Sequence, residues 1–314
     1  MATTQRRPTE SQSQSHLDVT GAKHRSLWSD VWRQFRRHKG AVAGLLVLGV
    51  IVVGCFFGPM VYPHDPFDIN TSIANQPPSS EFPFGTDNLG RDVLARVMIG
   101  GRISLAVGLT AMSLGVIIGT TVGILAGFFP KLDGWLMRGT DLFLALPILP
   151  LLLVIIMLFR DSLRNAFGPE IGVFLLVVFI IGITSWMQTA RIVRGEVLAL
   201  KSQEFVVAAE SIGTRKRNIV MRHIFPNVLS PVMVAAALGV AVAIITESAL
   251  SFLGLGFPSD FPTWGRLLFD AKDFINLTPM RVIWPGVLIS LTVISVNFLG
   301  DGLRDALDPT LRSK

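Results

Sequence analysis

The sequence predicts an all-α integral membrane protein of six transmembrane helices, and three observations carry that expectation. Half of the 314 residues are hydrophobic, only 16% are charged and the mean hydropathy is +0.55, whereas a soluble domain is about one-quarter charged. Segments near 40–62, 103–129, 142–159, 171–190, 228–250 and 282–300 approach the roughly 20 apolar residues needed to cross hydrocarbon at about 1.5 Å each. With the N-terminus inside, the connections on that side hold 20 of the 28 Lys and Arg, which fits the positive-inside rule; an even number of spans then leaves both termini cytoplasmic. The net charge of +6 is therefore read as membrane orientation, and no nucleic-acid partner is expected.

Taken in order, residues 1–25 carry too few apolar side chains to fold alone and are expected to be a disordered cytoplasmic tail. Over 26–39, Trp28, Val31, Trp32 and Phe35 form a helical stripe backed by Arg33, Arg36, Arg37 and Lys39, which predicts an interfacial amphipathic helix. The first span, 40–62, lies too far in and is too long for a cleaved signal peptide. It contains Cys55, the single cysteine, so neither an intrachain disulfide nor a cysteine metal cluster is available. The extracytoplasmic loop 63–102 carries Pro63, Pro66, Pro77, Pro78 and Pro83 and is expected to be extended at first. It becomes helical again within FGTDNLGRDVLARVMIGGRISL, where Asp87, Arg91 and Asp92 are expected to brace one another. Span two is rich in small residues, among them Gly108, Ser113, Gly115, Gly119, Thr120, Thr121 and Gly123, which permit close helix contact. In the loop 251–281, Trp264, Leu267, Leu268 and Ala271 have helical spacing and predict a short helix dipping into the outer face; for Trp264 alone, an interfacial anchor is an equal alternative. Residues 304–314 are expected to form a cytoplasmic tail.

Between spans four and five the loop 191–227 holds the most charged connection in the chain, KSQEFVVAAESIGTRKRNIVMRHIFPN at 201–227. Phe205, Ala208, Ala209 and Ile212 fall at i, i+3, i+4 and i+7, so a helix here presents one shallow apolar face. Ser202 is the expected cap, Glu204 suits the first turn, and Gly213 ends the helix in a left-handed conformation before Arg215, Lys216 and Arg217. Two readings follow: a helix that docks on another protein, or a basic loop of a stand-alone channel or scaffold lying on anionic lipid. His223, close to Pro226, is expected to help the loop fold back at the membrane surface.

The spans lack the groups that ion-coupled carriers and voltage sensors need. Glu247 is the one residue among Asp, Glu, Lys, Arg and His that they contain, placed near the outer end of span five where a carboxylate is solvated cheaply; it is a candidate gate, substrate contact or structural hydrogen-bond partner. Asn297 in span six is a candidate interhelical hydrogen bond or ligand. Energy for uphill movement would thus enter from outside the bilayer, and the 202–213 helix is the best placed lever. The chain has no G-x-x-x-x-G-K-[ST], H-E-x-x-H or G-x-S-x-G and no Cys/His cluster, so neither catalysis nor a metal site is expected.

EFVVAAESIG followed by Ile219, His223 and FPN at 225–227 resembles the cytoplasmic EAA loop of the membrane subunits of binding-protein-dependent ABC importers. FGTDNLGRDVLARVMIGGRISL, TESALSFLGLG leading to PTWGRLL, and NFLGDGLRDALDP at 297–309 narrow the likeness to the C-type membrane subunit of the dipeptide/oligopeptide/nickel permeases, from about Leu27 to Pro309. The resemblance implies a MetI-like core over 103–303, a homologous B-type subunit as partner in a heterodimer, and two ABC ATPase subunits. It also implies an extracytoplasmic substrate-binding protein that delivers the solute, and a bacterial or archaeal plasma membrane. The ATPases would bind ATP and magnesium, with no cofactor in this chain. Glu204, Phe205, Ala208, Ala209, Glu210, Ile212 and Gly213 would form the ATPase-coupling helix. Where the family pattern has an acidic residue directly before the two alanines, this sequence has Val207, flanked by Glu204 and Glu210. The expected solute is a dipeptide or oligopeptide, with nickel complexes or oligosaccharides as alternatives within the same class.

Overall fold

The computed structural model describes residues 27–307. The tail at 1–25, expected to be disordered, and the chain after Leu307 lie outside the described residues.

Two helices open the chain, α1 (Leu27–Arg37) and α2 (Lys39–Val61). His38 separates them and caps α2, its Nδ1 accepting the Ala41 N–H at 2.9 Å. Phe35 packs inward on Ala41 and Ala306, while Trp32 stacks on Phe35 at 5.8 Å and stays half exposed. After an irregular segment with one 3₁₀ turn at Thr71–Ile73 comes α3 (Val93–Phe128), then α4 (Pro130–Leu144), α5 (Ile148–Phe167) and α6 (Pro169–Lys201). The short α7 (Glu204–Ser211) and α8 (Lys216–Ile219) lead through a π turn, Val220–Ile224, into α9 (Phe225–Phe252). On the far side α10 (Trp264–Ala271) precedes α11 (Met280–Leu307). No strand occurs among the described residues.

Among these, five helical runs are long and apolar enough to cross a membrane, and α4 with α5 makes a sixth crossing if the bent pair is counted as one. The straight span expected over 142–159 is therefore corrected. Pro147 has no N–H to give and disfavours helical backbone at Leu146, so the chain breaks at 145–147 and α5 leaves α4 at 86°. Other bounds move too: α11 continues past the expected 300 to Leu307, into the expected tail 304–314. α3 starts at Val93, ten residues ahead of the expected 103, because Asp92 caps it by accepting the Ala95 N–H at 2.9 Å. α6 continues past 190 to Lys201, so the expected loop 191–227 is mostly helix, interrupted only around 202–203 and 212–215.

α3 and α6, at about 54 and 50 Å from ~1.5 Å per residue, form the central pair, and their seam is built from glycine. Gly115, Gly119, Gly123 and Gly127 recur every fourth residue on α3. A Cβ on each would come within 2.5–3.2 Å of the carbonyl oxygens of Gly182, Trp186, Ala190 and Arg194 on α6. Any side chain there would push the backbones apart, so small residues permit the contact, as between helices packed in lipid. α9 packs on α3, α11 packs on α9 and α2, and α5 covers α6. Cys55 is buried where α2 meets α3 and α10, with its Sγ against the Gly101 backbone.

Candidate functional site

Three regions gather outward apolar and buried polar groups of the described residues. The first is α7. Gly213 has φ +77°, and the Thr214 and Gly213 N–H groups donate to the Ala209 and Glu210 carbonyls at 3.1 and 2.9 Å, a Schellman closure. The expected cap is corrected: the Ser202 hydroxyl donates back to the Ala199 carbonyl at 2.8 Å, and Gln203 precedes the helix without a side-chain cap. The expected single apolar face divides into two. Ala209, expected on the docking face, is buried with Val206 in a cluster with Val193, Val197, Phe128, Ile219 and Ile224, because the chain folds back under α7 on both sides. Phe205, Val207 and Ile212 face outward, 44%, 49% and 82% exposed, together with Glu204, Ala208, Glu210 and Gly213. The rings of Phe205 and His223 lie 6.2 Å apart, so His223 does sit beside the base of the fold-back.

The second region is a cavity of about 560 Å³ at the corner between α4 and α5, walled also by α3, α6 and α9. Its wall is apolar apart from Thr184, Ser185, Gln188, Thr189 and Thr246, and carries no ionisable side chain. Sequence reasoning missed this set, although the signal was present. Ile181, Thr184, Ser185, Gln188 and Ile192 are spaced as one helical stripe in which polar residues interrupt an apolar run.

The third region lies at the α10 end. Glu247 was expected to be near solvent; it is wholly buried, because α10 and the start of α3 close over it. It accepts hydrogen bonds from the hydroxyls of Ser104 (3.1 Å) and Ser251 (2.7 Å), and Ser104 in turn accepts the Trp264 N–H at 3.2 Å. The carboxyl group thus ties α9 to α3 and to the first turn of α10. It does not line the cavity. Trp264 is no interfacial anchor: its ring is fully buried and its Nε1–H donates to the Val97 carbonyl at 3.0 Å. Asn297 is exposed on α11, outside the cavity wall, and forms no side-chain hydrogen bond among the described residues, which corrects the interhelical bond expected for it.

Around these residues a buried charge network fixes the outer loop. Arg91 pairs with Asp87 at 2.7 Å, and Arg96, 1% exposed, lies 3.8 Å from Asp87 and 3.7 Å from Asp270 and donates to the Ser259 carbonyl. Arg281 donates to Asn75 and Asn88 at 3.0 and 3.1 Å. Asp92, expected to brace the same group, instead caps α3 and accepts the Tyr62 hydroxyl at 2.6 Å. Burial, the hydrogen bond to Asp92 and its negative charge together push the Tyr62 phenol above its ordinary range. No group of His, Cys, Asp and Glu among the described residues could hold a metal ion.

Residues 119–313 match the family model described as binding-protein-dependent transport system inner membrane component, and residues 26–78 match the N-terminal transmembrane domain of oligopeptide transport permease C. The chain is 38% identical over 289 residues to a dipeptide transport system permease protein of Alkalihalophilus pseudofirmus, covering 92% of this chain and 91% of that one. It is 40% identical over 288 residues to an oligopeptide transport system permease protein of Haemophilus influenzae, covering 91% and 89%. A glutathione transport system permease protein of Pectobacterium atrosepticum is 38% identical over 297 residues, covering 92% and 93%. Among solved structures, an inward-facing methionine ABC transporter, MetNI, aligns with a TM-score of 0.53 at 17% identity, over 69% of this chain and 96% of that one. That likeness is one of fold.

Proposed function

This chain belongs to the family of binding-protein-dependent transport system inner membrane components, and from that premise we propose that it is the C-type permease subunit of an ATP-driven peptide importer. In this reading the subunit lies in a bacterial or archaeal inner membrane with both termini in the cytoplasm, as its distribution of Lys and Arg favours. It pairs with a homologous B-type permease, is worked by two ATPase subunits that bind ATP and magnesium, and receives solute from an extracytoplasmic binding protein.

The observation that carries the proposal is α7. An isolated eight-residue helix keyed into the bundle by Val206 and Ala209, with Phe205, Val207 and Ile212 left facing outward, is built to be held from behind and pressed from the front. Lying on anionic lipid needs no such double-sided packing, whereas a groove on a partner ATPase does. Glu204, Ala208, Glu210 and Gly213 rim that face, and they complete the docking surface. Ala209 serves it from beneath.

The cavity forms this subunit's part of the solute path. Its size falls within the range of small-molecule sites, and its hydroxyls and the Gln188 amide suit the amide groups that every peptide carries. With no ionisable group in the wall, this subunit's part of the path does not select on side-chain charge. Selection by the binding protein then decides among dipeptides, longer peptides and other solutes.

Copurification from the native membrane followed by reconstitution tests the reading. The complex is expected to contain an ATPase and a second permease, and to take up labelled dipeptide or oligopeptide in the presence of its binding protein and ATP. Recovery of the subunit without an ATPase, or uptake that persists without ATP and collapses with the ion gradient, would overturn it.

A further inference from the structure

We infer that Asp133 and Arg194 form a joint that carries movement of α7 to the mouth of the cavity, so that both act as positioning residues in transport. The inference rests on reading α7 as the ATPase-docking helix.

Three features of α6 meet within ten residues. Gln188 and Ile192 line the cavity, Val193 and Val197 seat α7, and Arg191 and Arg194 hold α4. Successive faces of one stiff helix therefore touch the solute path, the docking helix and the helix that ends at the corner. A displacement of α7 that shifts this part of α6 moves all three at once.

What α4 lacks makes the joint matter. Thr140 is its one buried residue, and that hydroxyl bonds back to the Leu136 carbonyl within the same helix. Apolar burial, the main source of helix anchoring in a bundle, is nearly absent. Three contacts reach α6 instead. Arg194 grips Asp133 with two parallel hydrogen bonds, Nε to Oδ1 at 2.5 Å and Nη2 to Oδ2 at 2.7 Å. Arg191 reaches Asp141 at 2.5 Å, and the Phe143 ring meets Trp186 edge-on at 6.4 Å. The first is the one with geometric force: a bidentate guanidinium–carboxylate pair fixes orientation as well as distance, and its side chains are 34% and 27% exposed, against 53% and 60% for the Arg191–Asp141 pair. Exposed single contacts of the latter kind contribute little.

The far end of α4 is the cavity corner. Phe143 and Leu144 close α4, Leu146 and Ile148 begin the turn into α5, and all four line the cavity. Held at Asp133, α4 transmits a shift or rotation of α6 along about three turns to this corner. With Asp133 released, only the exposed Arg191–Asp141 pair and the Phe143–Trp186 ring contact still tie α4 to α6, and the corner follows α6 less closely.

The test uses the full assembly, with partner permease, ATPases and binding protein, reconstituted in liposomes. ATP hydrolysis and labelled dipeptide uptake are measured together. Asp133→Asn is expected to leave hydrolysis within about twofold of wild type while uptake per ATP falls about tenfold, a size ordinary for coupling between sites. The charge-reversed pair, Asp133→Arg with Arg194→Asp, is expected to restore most of that ratio, which loss of folding would not permit. Asp133→Asn with a wild-type ratio overturns the inference. So does a proportional fall of hydrolysis and uptake, since the pair would then support only the seat of α7. If Asp133→Asn fails to assemble, the reversed pair decides: recovery of the ratio supports the joint, and a reversed pair that assembles with a low ratio overturns it. A wild-type assembly without ATP-driven uptake would instead sink the importer reading itself.

Discussion

Ile212→Ala separates the two faces of α7 most cleanly. Ile212 is 82% exposed at the helix C-terminus, so in the free subunit its side chain makes little contact that truncation could remove. Covered by a partner, the three carbons lost would each have contributed about 0.8 kcal/mol, or roughly 2 kcal/mol in all once incomplete burial is allowed for. At 1.4 kcal/mol per decade that is about a thirtyfold weaker hold on the ATPase. The assay is titration of ATPase onto the solubilised permease pair, with thermal unfolding of the pair as the control. Affinity should fall by that order with the unfolding midpoint unchanged. Affinity within about twofold of wild type, on a subunit of unaltered stability, would refute the assignment of this face. Ala209→Arg is not an equivalent test: Ala209 is buried among Val206, Val193 and Ile219, so an arginine there would unseat α7 and lower stability before any docking was measured.

Glu247→Ala leaves the hydroxyls of Ser104 and Ser251 without the carboxylate that accepts from both and opens a void, and it should destabilise the subunit by about 2 kcal/mol in thermal or denaturant unfolding; Glu247→Gln, which fills the space and keeps one of the two acceptor oxygens, should lose less than that. Gly119→Val drives a side chain into the Trp186 carbonyl and the Thr189 methyl, so recovery of folded subunit from the membrane should drop severely, while Gly134→Val, with nothing near its Cβ, should be recovered as wild type. Tyr62 is the single tyrosine, and near-ultraviolet titration of the isolated subunit should find its phenol ionising above the ordinary ~10. The raised value means that the interaction contributes fully below about pH 10 and is lost as pH climbs through the folded-state value; Asp92→Asn, which removes the charge, should move the titration back down.

Much of this architecture was legible because hydrophobic length and glycine spacing are local signals. The small residues of the second span announced a close helix pair, and the seam is the one between α3 and α6. The spacing of Trp264, Leu267 and Ala271 announced α10. What was not legible depended on who faces whom. A stripe at i, i+3, i+4 and i+7 marks an apolar face but not what covers it, so Ala209 was grouped with Ile212 although the fold-back of 213–224 buries one and leaves the other exposed. Glu247 was placed by its distance from the end of a span, and nothing local could say that α10, from a later loop, would close over it. The break at 145–147 was signalled by Pro147 but masked by the apolar residues on either side. Asp133 and Arg194 are far apart in sequence, and each alone looks like an ordinary solvated charge.

Cys55 has a practical consequence. It is the chain's single thiol, 4% exposed, at a three-way contact of α2, α3 and α10. A maleimide can reach it only when those helices part, so its labelling rate clocks opening of the outer half without any engineered probe. Replaced by alanine, it leaves a thiol-free background in which pairs of reporters can be set anywhere else in the subunit.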